Sequence, residues 1–117
     1  MCEPFGFAQS VSSQTALEAE AVTHTWGYYL QKLGKNPNLL SFTAARKQKG
    51  LARLRECMVK TGGNVEKAEG LMRLAIDTLA ASAFHRGEND RKRKYDSWEG
   101  NLFKSQEQLE GWLERAA

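Results

Sequence analysis

Apolar residues recur along this chain at intervals of three and four, the spacing that gathers them on one side of a helix. Three stretches carry that pattern. The first is expected to begin at Thr15, because Thr15-Ala16-Leu17-Glu18 has the spacing of a capping box, in which hydroxyl and carboxylate each take up an orphan backbone N–H. Leu17, Val22, Trp26, Tyr29, Leu30 and Leu33 form its apolar side, and Gly34 suits the left-handed residue that closes a helix. Lys35-Asn36-Pro37-Asn38 then reads as a turn, since Pro37 restricts Asn36 and cannot continue a helix. A second helix is predicted from Thr43 to about Lys60, stopped by Gly62-Gly63, with Ala44, Leu51, Leu54 and Met58 inside one arc of about 80°. A third opens at Asn64, a good N-cap, and continues to about Phe84, with Leu71, Met72, Ala75, Ile76, Leu79 and Ala83 as its apolar stripe. The small side chains of Ala80 to Ala83 would let a neighbouring helix approach closely.

Residues 85–95 break this rhythm. No apolar periodicity returns before Tyr95, and a connection longer than the usual median of about 4–6 residues is either functional or disordered. Asp96-Ser97-Trp98-Glu99 and Ser105-Gln106-Glu107-Gln108 then repeat the capping-box spacing and open two short helices, through Phe103 and about Arg115. Trp98, Leu102, Phe103, Leu109, Trp112 and Leu113 would pack back onto the body. The expected fold class is therefore all-α, a small orthogonal or irregular bundle of three main helices plus two short C-terminal helices. Residues 1–13 read as a flexible N-terminal tail with Phe5 and Phe7 as anchors, and 14–117 as a single helical domain.

Composition agrees with that reading. A chain of 117 residues holds one core, and strand formers are scarce, with four Val and one Ile. No apolar run approaches the roughly 20 residues that span a bilayer, so no membrane association is expected. Residues 1–13 lack the charged start and apolar stretch of a secretory signal. Cys2 and Cys57 stand alone as cysteines, which fits a reducing, cytoplasmic setting better than a disulfide framework.

The net charge is +3, but its distribution matters more. Residues 42–60 sum to +5 and 85–94 to +3, whereas 96–117 sum to −3. In the second helix Arg46, Lys49, Arg53 and Lys60 share an arc of about 60°, with Lys47 and Arg55 near the apolar side, and Glu56 is the single offsetting acid. Arg91, Lys92, Arg93 and Lys94 form a second cluster in the long loop. Phosphate binding needs several such cations converging on a backbone, so Arg46, Lys47, Lys49, Arg53, Lys60 and Arg91 to Lys94 are the candidate nucleic-acid contacts. The competing reading is a solvated face balanced by the acidic C-terminal helix. Nothing in the pattern selects DNA over RNA or one base sequence over another. Among the aromatics, Tyr28 and Tyr95 are the two not claimed by the core, and such rings could stack on unpaired bases.

Catalytic chemistry finds little support. There is no phosphate-binding glycine loop, nucleotide fingerprint or nucleophile elbow, and no cofactor or metal is expected. His85, Glu88 and Asp90 lie close in sequence and leave a metal-dependent nuclease as a remote alternative, but neighbouring Arg and Lys would compete with a cation. His85, Asn89 and Asp90 are more simply expected to order their loop by hydrogen bonds. His24 reads as an ordinary helical histidine. Cys57, flanked on its helix by Arg53 and Lys60, has the surroundings that lower a thiol pKa, although a passive place near the core edge is the simpler expectation.

From Trp26 to Leu113 the chain resembles a C-terminal module of phage and prophage replication-type proteins, which commonly carry a winged helix-turn-helix ahead of it. The resemblance rests on Trp26, Leu33-Gly34-Lys35-Asn36-Pro37, Thr43 with Arg46, Leu54-Arg55, Ala75-Ile76-Asp77, Ala81 to Asp90, Tyr95-Asp96, Trp98-Glu99, Leu102-Phe103 and Leu109 to Leu113. Its most specific part is Ser82-x-x-His85-x-Gly87-x-Asn89-Asp90, a polar run that packing does not explain. The resemblance implies a role near DNA in replication or its regulation and supplies no catalytic residues. About 25 residues precede Trp26, too few for the winged domain, which leaves two readings open. Either the module itself binds DNA, or it is an adaptor that docks a replication initiator or helicase, for instance through the acidic helix 105–116 or the first helix.

Overall fold

A computed structural model of the chain describes the backbone of residues 2–117 and the side chains from Gln14 onward. It is all-helical among the described residues, in the order α1 (Cys2–Lys32), α2 (Ala44–Lys60), α3 (Val65–Ala80), a π-helical turn (Trp98–Leu102) and α4 (Gln106–Ala116). The three main helices and the two short C-terminal ones are those the periodicity predicts. α1 passes through Thr15 without a break, so the capping box there does not open it. The anchoring expected of Phe5 and Phe7 in residues 1–13 lies outside the described side chains.

Hydroxyl and amide caps set the other helix starts. Thr43 accepts from the Arg46 N–H, Asn64 from Lys67 and Ser105 from Gln108, each satisfying a donor with no partner inside the first turn. In the π-helical turn the cap is Ser97, which accepts from Gly100, so Asp96 is released from capping for another task. Gln108 also departs from the reciprocal box: its carboxamide accepts from Lys104 N and donates to Gly100 O, tying α4 to the preceding turn.

α3 is the centre of the bundle and packs against α1, α2 and α4. Ala68, Met72, Ala75, Ile76 and Leu79 on it are completely buried. It ends at Ala80, four residues before the expected stop: Ala81 N–H bonds to Asp77 O and Ser82 N–H to Leu79 O, a tightening final turn. Ala83, expected in the stripe, is consequently exposed. Leu17 is also half exposed at 50% although it falls on the apolar side of α1; it lines an open cavity between α1 and the start of α3, with Val65, Glu66 and Glu69 opposite.

The other half of the core is aromatic. Trp98 stands edge-on to Trp26, Tyr29, Phe42 and Phe103, with centroids 4.6–5.9 Å away, the geometry in which a positive ring edge meets a negative face. Its Nε1–H donates to Arg46 O at 3.0 Å, so the one polar atom of the indole is satisfied. α2 crosses this cluster at Gly50. A Cβ there would lie 2.7 Å from Val22 Cγ1 and 2.8 Å from Trp98 Cζ2, so only hydrogen fits.

Candidate nucleic-acid interface

The basic stripe of α2 is turned towards the C-terminal segment. Arg46 Nε donates to Glu99 Oε2 at 2.6 Å and its Nη1 to Ser41 O at 2.6 Å. Lys49 Nζ donates to Lys104 O at 3.2 Å. Arg53 donates to Phe103 O at 3.3 Å and to Glu56 at 2.8 Å, and Lys60 to Glu110 at 2.6 Å. Phe103 and Lys104 follow directly on the π-helical turn, where carbonyls lack helical partners and attract cations. Arg55, nearer the apolar side, reaches across to Glu18 at 2.9 Å. Of the six cations on α2, Lys47 alone has no hydrogen bond or carboxylate partner among the described residues; it is exposed, with its ammonium 5.6 Å from the Phe42 ring centroid. The stripe is thus largely a set of internal cross-links.

The loop cluster differs. Arg91, Lys92, Arg93 and Lys94 are all exposed, and none has an ion pair or side-chain hydrogen bond among the described residues. Their backbone is nevertheless held in place. The Asn89 carboxamide nitrogen donates to Phe84 O and Arg93 O, both at 2.7 Å, and its oxygen accepts from the N–H groups of Arg91 at 3.1 Å and Arg93 at 3.2 Å. One side chain therefore uses both donors and both acceptor directions. Ser82 Oγ lies 2.7 Å from His85 Nδ1, Glu88 N–H bonds to Ala83 O, and Tyr95 N–H closes the loop onto His85 O at 2.8 Å. Gly87 takes φ +110° and Lys92 φ +49°; the first of these suits glycine alone, and the second is an uncommon left-handed turn for a lysine. Asp90, expected to share in this ordering, projects into solvent with no side-chain hydrogen bond among the described residues.

The loop is anchored below by Asp96. Its carboxylate is nearly buried, pairs with Lys35 at 2.8 Å and faces Arg86 at 3.9 Å, while its carbonyl accepts from the Tyr29 hydroxyl at 2.7 Å. Arg86 also donates to Leu33 O at 3.3 Å, which joins the loop to the end of α1. A buried charge is tolerated only when paired, so this cluster specifies where the loop sits. Desolvation, helped by the charges of Asp96 and Glu99, raises the Tyr29 pKa and keeps its hydroxyl a donor.

Two aromatic residues belong to the same loop. Phe84 and Tyr95 stack with centroids 5.7 Å apart and planes 12° apart, and Phe84 remains 55% exposed. His85 meets Phe84 edge-on at 5.3 Å and Trp112 at 4.9 Å. Burial, with the charge of Arg115 second, lowers the His85 pKa and favours the neutral ring. Tyr28, the other ring left outside the core by the sequence pattern, is occupied: its hydroxyl donates to Asp77, and Arg73 lies over its face at 4.9 Å.

Cys57 is fully buried, and burial pushes its thiol up to about 11 despite Lys60 and Arg53; the cations that would activate it are spent on carboxylates, and the thiol stays protonated. Among the described residues no three His, Cys, Asp or Glu side chains form a group that could hold a metal ion, so His85, Glu88 and Asp90 do not converge. No helix of the described residues is long and apolar enough to cross a membrane. No protein-family model, curated protein or solved structure matches the chain.

Sequence reasoning placed Phe84 inside α3 and Asp96 at a helix cap. Both are central to the loop. A signal for the first was present in the spacing, since Phe84 and Tyr95 bracket the polar run; nothing local marks the burial of Asp96.

Proposed function

We propose that this chain is a non-enzymatic, DNA-associated helical module whose contact with the phosphate backbone is made by the loop carrying Arg91, Lys92, Arg93 and Lys94. The observation that carries this reading is four adjacent exposed cations on a backbone pinned by Asn89, with no carboxylate among the described residues claiming them. Counterion release then drives binding, and geometry held in advance lowers its entropic cost. The likeness to a replication-type module supports a place in phage or prophage replication or its regulation. The α2 stripe, largely committed within the molecule, contributes at most Lys47.

Two double variants separate these roles. Lys92→Ala with Arg93→Ala should weaken binding to labelled DNA and reduce the slope of log affinity against log salt by about 1.4–1.8, leaving stability unchanged. Arg53→Ala with Lys60→Ala should lower stability and leave that slope in place. Equal salt slopes for the loop variant and the parent would refute the assignment.

A second reading, an adaptor docking a replication initiator or helicase, draws on Val59, 85% exposed beside Arg55, Met58, Gly62 and Gly63 on the surface at the end of α2. Co-purification of one defined partner, without retention on DNA, would favour it.

A further inference from the structure

The basic loop carries a flat apolar ring as well as charge, and a duplex offers such a ring a base face only at the cost of unstacking its pairs. Phe84 is braced by Tyr95 on one side and by the His85 edge, and no other ring among the described residues meets it. More than half of it is exposed. Asn89 binds the Phe84 and Arg93 carbonyls through one nitrogen, so the ring and the cations rise from adjacent backbone. A packed apolar residue would not need such a mount, and a phosphate-gripping loop would not need the ring. An unpaired nucleotide presents both features together, a π face and an anionic phosphate.

Resting on the polyanion-binding function proposed above, we infer that the loop binds single-stranded nucleic acid in preference to duplex, with an unpaired base stacked on Phe84 and the flanking phosphates held by Arg91 to Lys94. Stacking on an exposed aromatic tolerates any base, so the platform itself requires no particular sequence. Tyr95 acts as a backing ring that keeps Phe84 from turning. His85, largely neutral and bonded to Ser82, fixes the base of the platform without adding charge.

The test is fluorescence anisotropy of the full chain with a labelled single strand of about 16 nucleotides and with the same sequence as duplex. Each is titrated at about 50 and about 200 mM salt. The parent is expected to bind the single strand more tightly. Phe84→Leu, which keeps apolar bulk but removes the flat face, should lose on the order of tenfold in single-strand affinity, with an unchanged salt slope and unchanged duplex binding. Phe84→Trp should restore the loss. Equal affinity of the parent for both forms, or a Phe84→Leu loss of the same size on both, would overturn the inference and leave phosphate binding standing. Failure of the parent to bind either form at the lower salt would instead remove the underlying function.

Discussion

Replacing Gly50 by alanine tests the crossing on which the aromatic core depends. The added methyl would meet Val22 Cγ1 at 2.7 Å and Trp98 Cζ2 at 2.8 Å, both inside normal contact. Neither neighbour yields easily. Trp98 is hydrogen-bonded to Arg46 O and enclosed by four rings, and Val22 is β-branched with few rotamers in a helix. Overpacking of this kind costs about 2–3 kcal/mol, against about 1 kcal/mol regained because alanine is the better helix former. The net expectation is a loss of about 1–2 kcal/mol, or about 4–8 °C in Tm for a domain of this size. Gly70, in α3, provides the control. Nothing lies within 4 Å of its Cβ position, so Gly70→Ala should gain about 0.5–1 kcal/mol. Urea unfolding followed by tryptophan fluorescence, with equal m-values, measures both. If the two variants shift stability in the same direction by similar amounts, α2 does not cross Trp98 as described.

Asn89→Asp should loosen the loop without unfolding the domain, because an oxygen would then face the Phe84 and Arg93 carbonyls that the amide nitrogen now binds. The local cost is about 1–2 kcal/mol, visible as faster hydrogen exchange at the Arg91 and Arg93 amides with little change in Tm. Stability should also fall with acidification, in two stages. The His85 pKa lies below its ordinary 6.5, chiefly through burial, so the unfolded chain binds the proton first; the stability given by the neutral ring is full above 6.5 and lost as pH falls through the folded value. Glu99 follows lower down. Burial pushes its carboxyl up, but the hydrogen bond and charge of Arg46 more than offset this and leave it below 4.5, so its contribution is present above 4.5 and lost as pH falls through the folded value. Urea midpoints at about pH 7.5, 5.5 and 4 would check both stages; a flat profile would contradict them.

Much of the helical plan was legible locally. Thr43, Asn64 and Ser105 announce their helices because a cap needs only a hydroxyl or amide and the three residues after it. The apolar stripe of α3 follows from period alone as far as Leu79. The destination of the α2 cations was not legible, since Glu99 and Glu110 lie some 50 residues further on and a helical wheel cannot say whether a charged side meets solvent or another segment. The loop was visible as an anomaly, a polar run unexplained by packing. Its construction was not, because the bonds of Asn89 run to backbone groups that carry no residue-type signature. Tyr95 stood out as unclaimed by the core, whereas Phe84 was hidden by the assumption that α3 continued.

The seam between α2 and the last twenty residues has a practical side. Glu110 and the carbonyls of Phe103 and Lys104 act as a lining that quiets Lys49, Arg53 and Lys60. A fragment cut before Trp98 would lose that lining together with Trp98, Phe103 and Leu109 from the core, so the freed Lys49 and Lys60 would sit on a loosened chain that sticks to heparin or DNA without a defined surface. Stickiness in a shortened chain would then report the missing lining, not the natural contact.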